Sequence, residues 1–245
     1  MENMTLKIFQ KGFNYSQDGP GNRLVYHMQG CNMRCPWCAN PESMGAVCGT
    51  TISREIVDVY DEIMSASMMF FEGGGVTFTG GEPTLQLQPL KRLLARLKDA
   101  NVNTAIETNG TSAEFAEIIP LLDIVMIDFK HYDSKALKRT TGVGNENIIN
   151  NLRLLSDTRT DTIVRIPLIN GFNTSAANAR EFAAALGGLT SPRMRFEFLP
   201  YHEYGKVKWE QAGMEYKMTD AHVPNGTAEL FWAEFEKVGL KIINT

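Results

Sequence analysis

Three of the four cysteines in this 245-residue chain lie within eight positions, in the stretch GCNMRCPWCAN at 30–40. Cys31, Cys35 and Cys38 have the spacing C-x3-C-x2-C. Thiolates at this spacing can hold three corners of a cubane 4Fe–4S cluster, because one short loop can wrap around it. The fourth iron would then stay open, and an open metal position can bind and activate a chelating ligand. The loop 29–40 is therefore predicted to hold a catalytic iron–sulfur centre.

Three other interpretations of the cysteines stay open. A zinc site normally takes four ligands, and the nearby histidine, His27, precedes the loop. Cys48 could supply a fourth thiolate and close the cluster for electron transfer, although CGTTIS at 48–53 is typical of a lead-in to a helix. The thiols could also pack as small apolar groups. The cubane with an open iron accounts best for three thiols in one loop.

Composition narrows the class of protein. Hydrophobic residues make up 43% and charged residues 21%, as in an ordinary globular chain. The net charge of −4 predicts no nucleic-acid partner, because neutralising phosphates needs a broad basic surface. Neither a signal peptide nor a membrane-spanning apolar run is evident, so a cytoplasmic location is expected. The length suits one domain over 1–245.

Short β-rich runs alternate with helical patterns along the chain. The predicted strands are 23–28, 76–80, 104–108, 124–129, 162–168 and 195–200. Leucines at helical spacing follow Leu87, and apolar residues at helical spacing follow Ser53. Thr174 is the expected N-cap of a helix that stops at Gly187–Gly188, a last helix is expected near 226–238, and 240–245 is expected to form a short strand. Six strand–helix units predict an α/β fold, a partial (β/α)6 TIM-like barrel, with an open doubly wound sheet as the alternative.

Polar and glycine-rich segments follow the predicted strands. Because parallel strands place their carboxyl ends on one rim, these segments are expected to gather there. They are GCNMRCPWC, GGEP, ETNG, DFKH, NGFN and PYHEYGK, at strand ends near 79–83, 107–110, 126–131, 165–167 and 199–206 as well as in the cysteine loop.

The cysteine spacing resembles the signature of the radical S-adenosylmethionine (SAM) superfamily. YSQDGPGNRLVYHMQGCNMRCPWCAN, TGGEP, ETNG, VMIDFKH and LPYHEYGKVKW further resemble, in order and spacing, glycyl-radical-enzyme activating enzymes of the pyruvate formate-lyase type. The resemblance runs from about residue 8 to the end. The chain has no room for the ferredoxin-like insert of some relatives, so it is similar to the short form with one cluster.

The resemblance implies a radical SAM fold, a 4Fe–4S cluster on Cys31, Cys35 and Cys38, and a bound SAM. The residues that it implies for SAM are Trp37, Cys38, Ala39, Gly80, Gly81, Glu82, Asp128, Phe129, Lys130, Arg165 and His202. The residues alone also allow structural roles. Trp37 could pack the loop, His202 could bond to backbone within its loop, Gly80–Gly81 could form a turn, and Asp128 could pair with Lys130. No general base is expected, because the family transfers a hydrogen atom.

Two further sites follow from the resemblance. A monovalent cation is implied near Glu107, Thr108, Met126 and Asp128, although Glu107 replaces the family's common Asp. The loop Asp18, Gly19, Pro20 and Gly21 is implied to lie by the protein substrate. Ala39 stands where the family commonly has His, and Met28 where it has Phe.

The function implied is an oxidoreductase that cleaves SAM reductively and removes a hydrogen atom from a backbone glycine of a glycyl radical enzyme. A flavodoxin or ferredoxin is the expected electron donor, and a monomer is expected. A small-molecule enzyme similar to 7-carboxy-7-deazaguanine synthase and a non-catalytic iron–sulfur redox carrier remain the alternatives.

Overall fold

The computed structural model describes residues 4–244, and Thr245 of the predicted final strand lies outside them. The strands are β1 Thr5–Tyr15, β2 Asn22–Met28, β3 Ile52–Glu55, β4 Gly75–Gly80, β5 Thr104–Thr108, β6 Ile124–Asp128, β7 Asp161–Leu168, β8 Met194–Pro200 and β9 Ile242–Ile243. The α-helices are α1 Ile56–Ser65, α2 Leu87–Asp99, α3 Ser134–Thr141, α4 Glu146–Ser156, α5 Ala176–Leu186, α6 Lys206–Gln211 and α7 Thr227–Lys237. Short 3-10 helices are Pro41–Met44, Ser67–Met69, Pro83–Gln86, Phe115–Glu117 and Ile119–Leu121.

The strands form a sheet in the order β3-β1-β2-β4-β5-β6-β7-β8-β9. The pairs β2–β4, β4–β5, β7–β8 and β8–β9 are parallel, and β1 runs antiparallel to β2 and β3. The predicted α/β fold with a parallel sheet is confirmed, and each of the six predicted strands lies within about one residue of an observed one.

The chain divides into two compact units. The first comprises residues up to Asn32, Glu42–Thr108 and Ser112–Met126. Its parallel strands are buried on both faces, with Tyr26 stacked on Phe78 at 5.8 Å between ring centroids. The leucines of α2 supply the covering layer, because they recur at helical spacing and are buried.

The second unit comprises Met33–Pro41, Asn109–Thr111 and the residues from Ile127 onward. Aromatic rings build its core: Phe129 meets Phe182 edge-on at 5.6 Å, and Phe198 meets Phe235 at 4.9 Å. The prediction of one domain over 1–245 stays a prediction.

Three local predictions need correction. The N-cap of α5 is Ser175, not Thr174, because Ser175 and Asn178 form a reciprocal capping box. The segment after Cys48 leads into β3, which pairs with β1, before α1 begins. The sequence did not predict β1, whose residues past Phe9 are mostly exposed.

The two ends of β2 and β4 carry different loops. Arg23 is in register with Gly75, and Met28 with Gly80. The loop 16–21 therefore precedes β2 at the amino edge, while the cysteine loop begins at the carboxyl edge. Seven strand residues separate these edges by about 20 Å. The loop Asp18–Gly21 and the turn Gly80–Glu82 were both expected to be functional, and they lie at opposite edges of the sheet.

From Met4 to Asn244, no helix has the length and apolar character needed to cross a bilayer.

Candidate functional site

The glycines after β4 pack directly on the backbone that follows β2. Gly81 donates its N–H to Met28 O at 2.9 Å, and Glu82 donates to Gly30 O at 2.7 Å. A Cβ on Gly81 would lie 2.1 Å from Gly30 O, so only glycine fits there. Gly80 has φ +108°, which also favours glycine. Both glycines therefore fix the start of the cysteine loop against the end of β4.

Glu82 is fully buried, and its carboxylate is held by threonines. Oε1 accepts from Thr84 N at 3.0 Å, from Thr84 Oγ1 at 2.6 Å and from Thr108 Oγ1 at 2.8 Å. Glu82 thus caps the 3-10 helix Pro83–Gln86 and ties it to the end of β5. These bonds position the Gly-Gly-Glu turn, and the predicted role of Glu82 at SAM stays a prediction.

The three clustered cysteines differ in burial. Cys31 belongs to the first unit and is half-buried; in the second unit Cys35 is buried and Cys38 half-buried. A turn joins the last two, since Cys38 N–H donates to Cys35 O at 3.1 Å. Arg34 N–H donates to Thr141 O at 2.8 Å and anchors the loop on the end of α3.

The donor chemistry of the loop fits an iron–sulfur cluster. Thiolates are its usual ligands, and Asn40 N–H already donates to Cys38 Sγ at 3.4 Å, a bond of the kind that tunes such clusters. In the stretch 4–244, no group of three or more His, Cys, Asp or Glu side chains stands arranged to hold a metal ion. Assignment of the three ligands therefore rests on their chemistry and spacing.

Cys48, the fourth thiol, lies in the turn before β3. Its Sγ contacts Thr50 Oγ1 at 3.3 Å and accepts from Thr51 Oγ1 at 3.4 Å. Burial opposes the thiolate, but these hydrogen bonds outweigh it and lower the pKa of Cys48. Thr51 also donates to Gln29 Oε1 at 2.9 Å, so the local bonds give Cys48 a role in this turn.

Trp37 packs within the second unit. Its ring lies 5.0 Å from that of Phe172, beside the buried cluster of Ile169, Tyr201 and Ala221. Loop packing is thus one role of Trp37. Its predicted contact with adenine, like that of Ala39, stays a prediction.

The end of β6 carries an ion pair. Lys130 Nζ bonds Asp128 Oδ2, as alternate residues on one strand face allow, and Lys130 is only 7% exposed. Between them, Phe129 N–H donates to Arg165 O at 2.8 Å and aligns β6 with β7. The ion pair that the residues alone allowed is present, and the predicted contact of Asp128, Phe129 and Lys130 with SAM stays a prediction.

Arg165 and His202 differ in their surroundings. Arg165 Nε donates to Glu197 Oε2 at 2.9 Å across β7 and β8, and both side chains are largely buried. The His202 ring stacks on that of Tyr204 at 4.2 Å, and burial lowers the pKa of His202. A neutral imidazole keeps one ring nitrogen as an acceptor, and His202 Nδ1 accepts from Tyr204 N–H at 3.3 Å.

The residues implied for a monovalent cation have protein partners. Glu107 Oε2 accepts from Thr79 Oγ1 at 2.6 Å, and Thr108 donates to Glu82. Met126 is buried in β6, and Asp128 pairs with Lys130. The cation site stays a prediction.

Arg23 holds the loop Asp18–Gly21 and was not anticipated from the sequence. Its guanidinium is fully buried, donating to Thr77 Oγ1 at 2.7 Å, Val76 O at 2.8 Å and Asn103 Oδ1 at 2.9 Å, with Pro20 O at 3.4 Å. Thr77 Oγ1 in turn donates to Asp18 O at 2.7 Å. Burial lowers the pKa of Arg23 to about 10, so the side chain stays charged at neutral pH. An arginine opening an otherwise apolar strand was the available signal.

Comparisons with known proteins identify the family of the chain. The model of the Radical SAM superfamily matches residues 25–183. The chain is 34% identical over 222 residues to the pyruvate formate-lyase-activating enzyme of Staphylococcus aureus (strain USA300), covering 86% of this chain and 87% of that relative.

Solved structures agree on the fold. A domain of a pyruvate-formate lyase-activating enzyme from Bacteroides vulgatus superposes with a TM-score of 0.55 at 27% identity, covering 70% of this chain and 98% of that one. A radical SAM methyltransferase from Sphaerobacter thermophilus gives a TM-score of 0.65 at 16% identity, covering 98% of this chain and 72% of that one.

Proposed function

The chain belongs to the radical SAM superfamily and, within it, to the enzymes of the pyruvate formate-lyase-activating type, and from this premise we propose that it activates a glycyl radical enzyme. The proposed reaction removes one α-hydrogen atom from a backbone glycine of that partner, with SAM as co-substrate. The observation that carries the proposal is the set of three cysteines, spaced C-x3-C-x2-C, in the single loop that follows β2.

Cys31, Cys35 and Cys38 would hold one 4Fe–4S cluster. When bound and reduced, such a cluster supplies one electron for SAM cleavage and an open iron for the amino and carboxylate groups of SAM. The task of the protein is to orient SAM, to keep water away and to present C5′ to the glycine.

Residues other than the three cluster ligands would orient SAM. Gly80 and Gly81 lack side chains where backbone must come close, and Glu82 keeps that turn rigid. Lys130 can donate to a carboxylate or a ribose hydroxyl, with Asp128 balancing its charge. Trp37, Ala39, Phe129, Arg165 and His202 complete the proposed set.

The proposed protein partner docks by the loop Asp18–Gly21, which Arg23 and Thr77 hold in one conformation. A flavodoxin or ferredoxin would deliver the electron, and the enzyme would act as a monomer. A monovalent cation near Glu107, Thr108, Met126 and Asp128 remains part of the proposal.

Anaerobic reconstitution tests the proposal. The chain loaded with iron and sulfide, then given dithionite and SAM, is expected to release 5′-deoxyadenosine. Cys48→Ala is expected to behave like the parent chain, and Cys35→Ala to lose both the four-iron cluster and the cleavage. Candidate glycyl radical enzymes are then added, and the glycyl radical doublet is sought by electron paramagnetic resonance (EPR).

Two outcomes would replace this function. A loaded cluster that releases no 5′-deoxyadenosine and loses iron in Cys48→Ala would indicate a closed redox carrier. Cleavage of SAM with turnover of a small molecule, and no radical on any glycyl radical enzyme, would indicate the small-molecule alternative.

A further inference from the structure

The second half of the cysteine loop is covered by residues 205–209, which include the start of α6; we name these residues the covering segment. Trp209 Nε1 donates to Cys38 O at 2.9 Å. Lys208 Nζ donates to Asn40 Oδ1 at 2.7 Å. Two side chains from one turn of helix thus bind the carbonyl of the last cysteine and the residue two positions after it.

Gly205 adds a steric constraint to these bonds. It is buried, and its φ of −81° and ψ of −14° are open to every residue type, so the backbone conformation does not call for glycine. A Cβ at this position would lie 2.6 Å from Cys38 O and 2.7 Å from Ala39 Cα. Glycine is needed because the covering segment touches the backbone of the cysteine loop.

One of these contacts is linked to the sulfur of Cys38 through Asn40. Asn40, whose side chain Lys208 holds, donates its backbone N–H to Cys38 Sγ at 3.4 Å. A hydrogen bond to a cluster thiolate favours the more negative, reduced state and so raises the reduction potential. The placement of Asn40 therefore bears on the redox property of any cluster that Cys38 binds.

We propose that Gly205, Lys208 and Trp209 are positioning residues for Cys38: they fix the backbone of residues 38–40 so that the thiol faces the cluster and keeps its N–H donor. This inference rests on the proposed function, in that Cys38 is taken as a cluster ligand. It adds a role for three residues outside the cysteine loop and the SAM set.

A purely structural role is the competing explanation. Trp209 also packs on Tyr216, with ring centroids 5.8 Å apart, so its loss could simply loosen α6. Trp209→Phe keeps an aromatic ring beside Tyr216 but removes the N–H donor together with the smaller ring of the indole, so the same substitution at another tryptophan is needed as its control. A structural role predicts a lower melting temperature with an unchanged cluster.

The test uses the full chain, reconstituted anaerobically. The variants are Trp209→Phe, Lys208→Met and Gly205→Ala. Trp232→Phe is the matched control for the indole, since Trp232 Nε1 donates to Glu236 on the exposed face of α7 at 2.8 Å. Gly188→Ala is the control for the glycine, since a Cβ there meets nothing within 4 Å. Iron and sulfide content, the reduction potential by EPR-monitored titration, and the EPR change on adding SAM are measured, with circular dichroism to verify folding.

Trp209→Phe and Lys208→Met are expected to fold, to show a more negative reduction potential than the parent chain, and to cleave SAM about five- to tenfold more slowly. Gly205→Ala is expected to retain less iron. Both control variants should match the parent chain. A reduction potential and SAM response in Trp209→Phe and Lys208→Met equal to those of the parent chain would overturn the positioning role, whatever the melting temperature.

Failure of the underlying function has a different signature. If the parent chain itself binds no four-iron cluster, or binds one and leaves SAM intact, the proposed function fails before any variant is compared. If the parent chain cleaves SAM and the variants match it, the role of the covering segment alone is wrong.

Discussion

At the scale of single residues, Gly81 is a position of the site where a close backbone contact leaves room for glycine alone. The role of Gly80 and Gly81 at SAM stays a prediction, and the structure shows a second reason for glycine, because Gly30 O lies in the space that a Cβ on Gly81 would fill. The role of Glu82 as a cap could not be predicted, because its partners Thr84 and Thr108 come from different elements. In contrast, the pairing of Asp128 with Lys130 follows from their spacing in one strand.

Replacing Gly81 tests the tight contact after β4. Gly81→Ala would push a methyl group into Gly30 O, and backbone cannot move aside cheaply, so we expect a loss of at least about 2 kcal/mol in unfolding free energy. Denaturant unfolding measures this loss. Gly12→Ala is the control, since a Cβ on exposed Gly12 meets nothing within 4 Å. Equal stability of the two variants would contradict the contact.

His131 should make stability depend on pH. It is buried between aromatic rings, and burial lowers its pKa despite the nearby Asp133 carboxylate. Its Nδ1 accepts from Asp133 N–H at 2.9 Å, so the neutral ring is the one that fits. The unfolded chain binds the proton first as pH falls through about 6.5, and the stability from His131 is therefore full above that pH and lost below it.

His131→Asn keeps a side-chain acceptor and does not titrate. We expect this variant to be less stable than the parent chain near pH 7.5 but to lose less stability on going to about pH 5.5. Melting temperatures across that range test the expectation. His222→Asn, an exposed position, should retain the slope of the parent chain, and an unchanged slope in His131→Asn would refute the assignment.

At the scale of elements, continuous apolar runs were the reliable signal. The strands from β4 to β8 were predicted closely because they are buried on both faces or lie between turn residues. The outer strands β1 and β3 were missed, because their exposed faces carry polar residues and their partners are set by tertiary pairing. The start of α5 was misplaced by one residue, since Thr174 and Ser175 are both good N-caps and the bond with Asn178 decides between them.

Arg23 joins three elements and should set the conformation of the loop Asp18–Gly21. Arg23→Lys retains the charge but cannot reach Thr77, Val76 and Asn103 together, so buried acceptors lose their donors. We expect a loss of about 3 kcal/mol in stability and a higher KM for the protein partner with little change in SAM cleavage without it. Denaturant unfolding and activation kinetics test this.

Arg92→Lys is the matched control, because Arg92 lies on the exposed face of α2. It should leave both stability and KM near those of the parent chain. If Arg23→Lys weakens SAM cleavage as much as activation, the loop Asp18–Gly21 is not its specific target.

At the scale of the whole molecule, the fold class and the class of chemistry could be predicted from cysteine spacing and strand order, whereas the placement of ligands could not. Family membership now rests on a superfamily match over residues 25–183 and on a relative that is 34% identical. In the proposed function, surface residues such as those near Asp18–Gly21 would select the protein partner, and the cysteine motif would not.

Loading the cluster should stabilise the whole chain. A group that binds the folded state at about a hundredfold its Kd adds about 2.7 kcal/mol, equivalent to about 5–10 °C for a chain of this size. We expect the melting temperature, measured without oxygen, to fall by that amount when a chelator strips the iron. Cys35→Ala should show no such fall, and an equal fall in that variant would place the bound iron elsewhere.

The loop Asp18–Gly21 and the turn Gly80–Glu82 lie at opposite edges of the sheet, and the length of β2 sets the distance between them. A polypeptide anchored at one end of β2 would have to lie fully stretched for about six residues before its glycine came level with the other end. A partner that docks by the loop Asp18–Gly21, as proposed, would therefore need a free stretch of backbone at least that long. Short peptides that carry only the glycine and its immediate neighbours should be poor mimics of it.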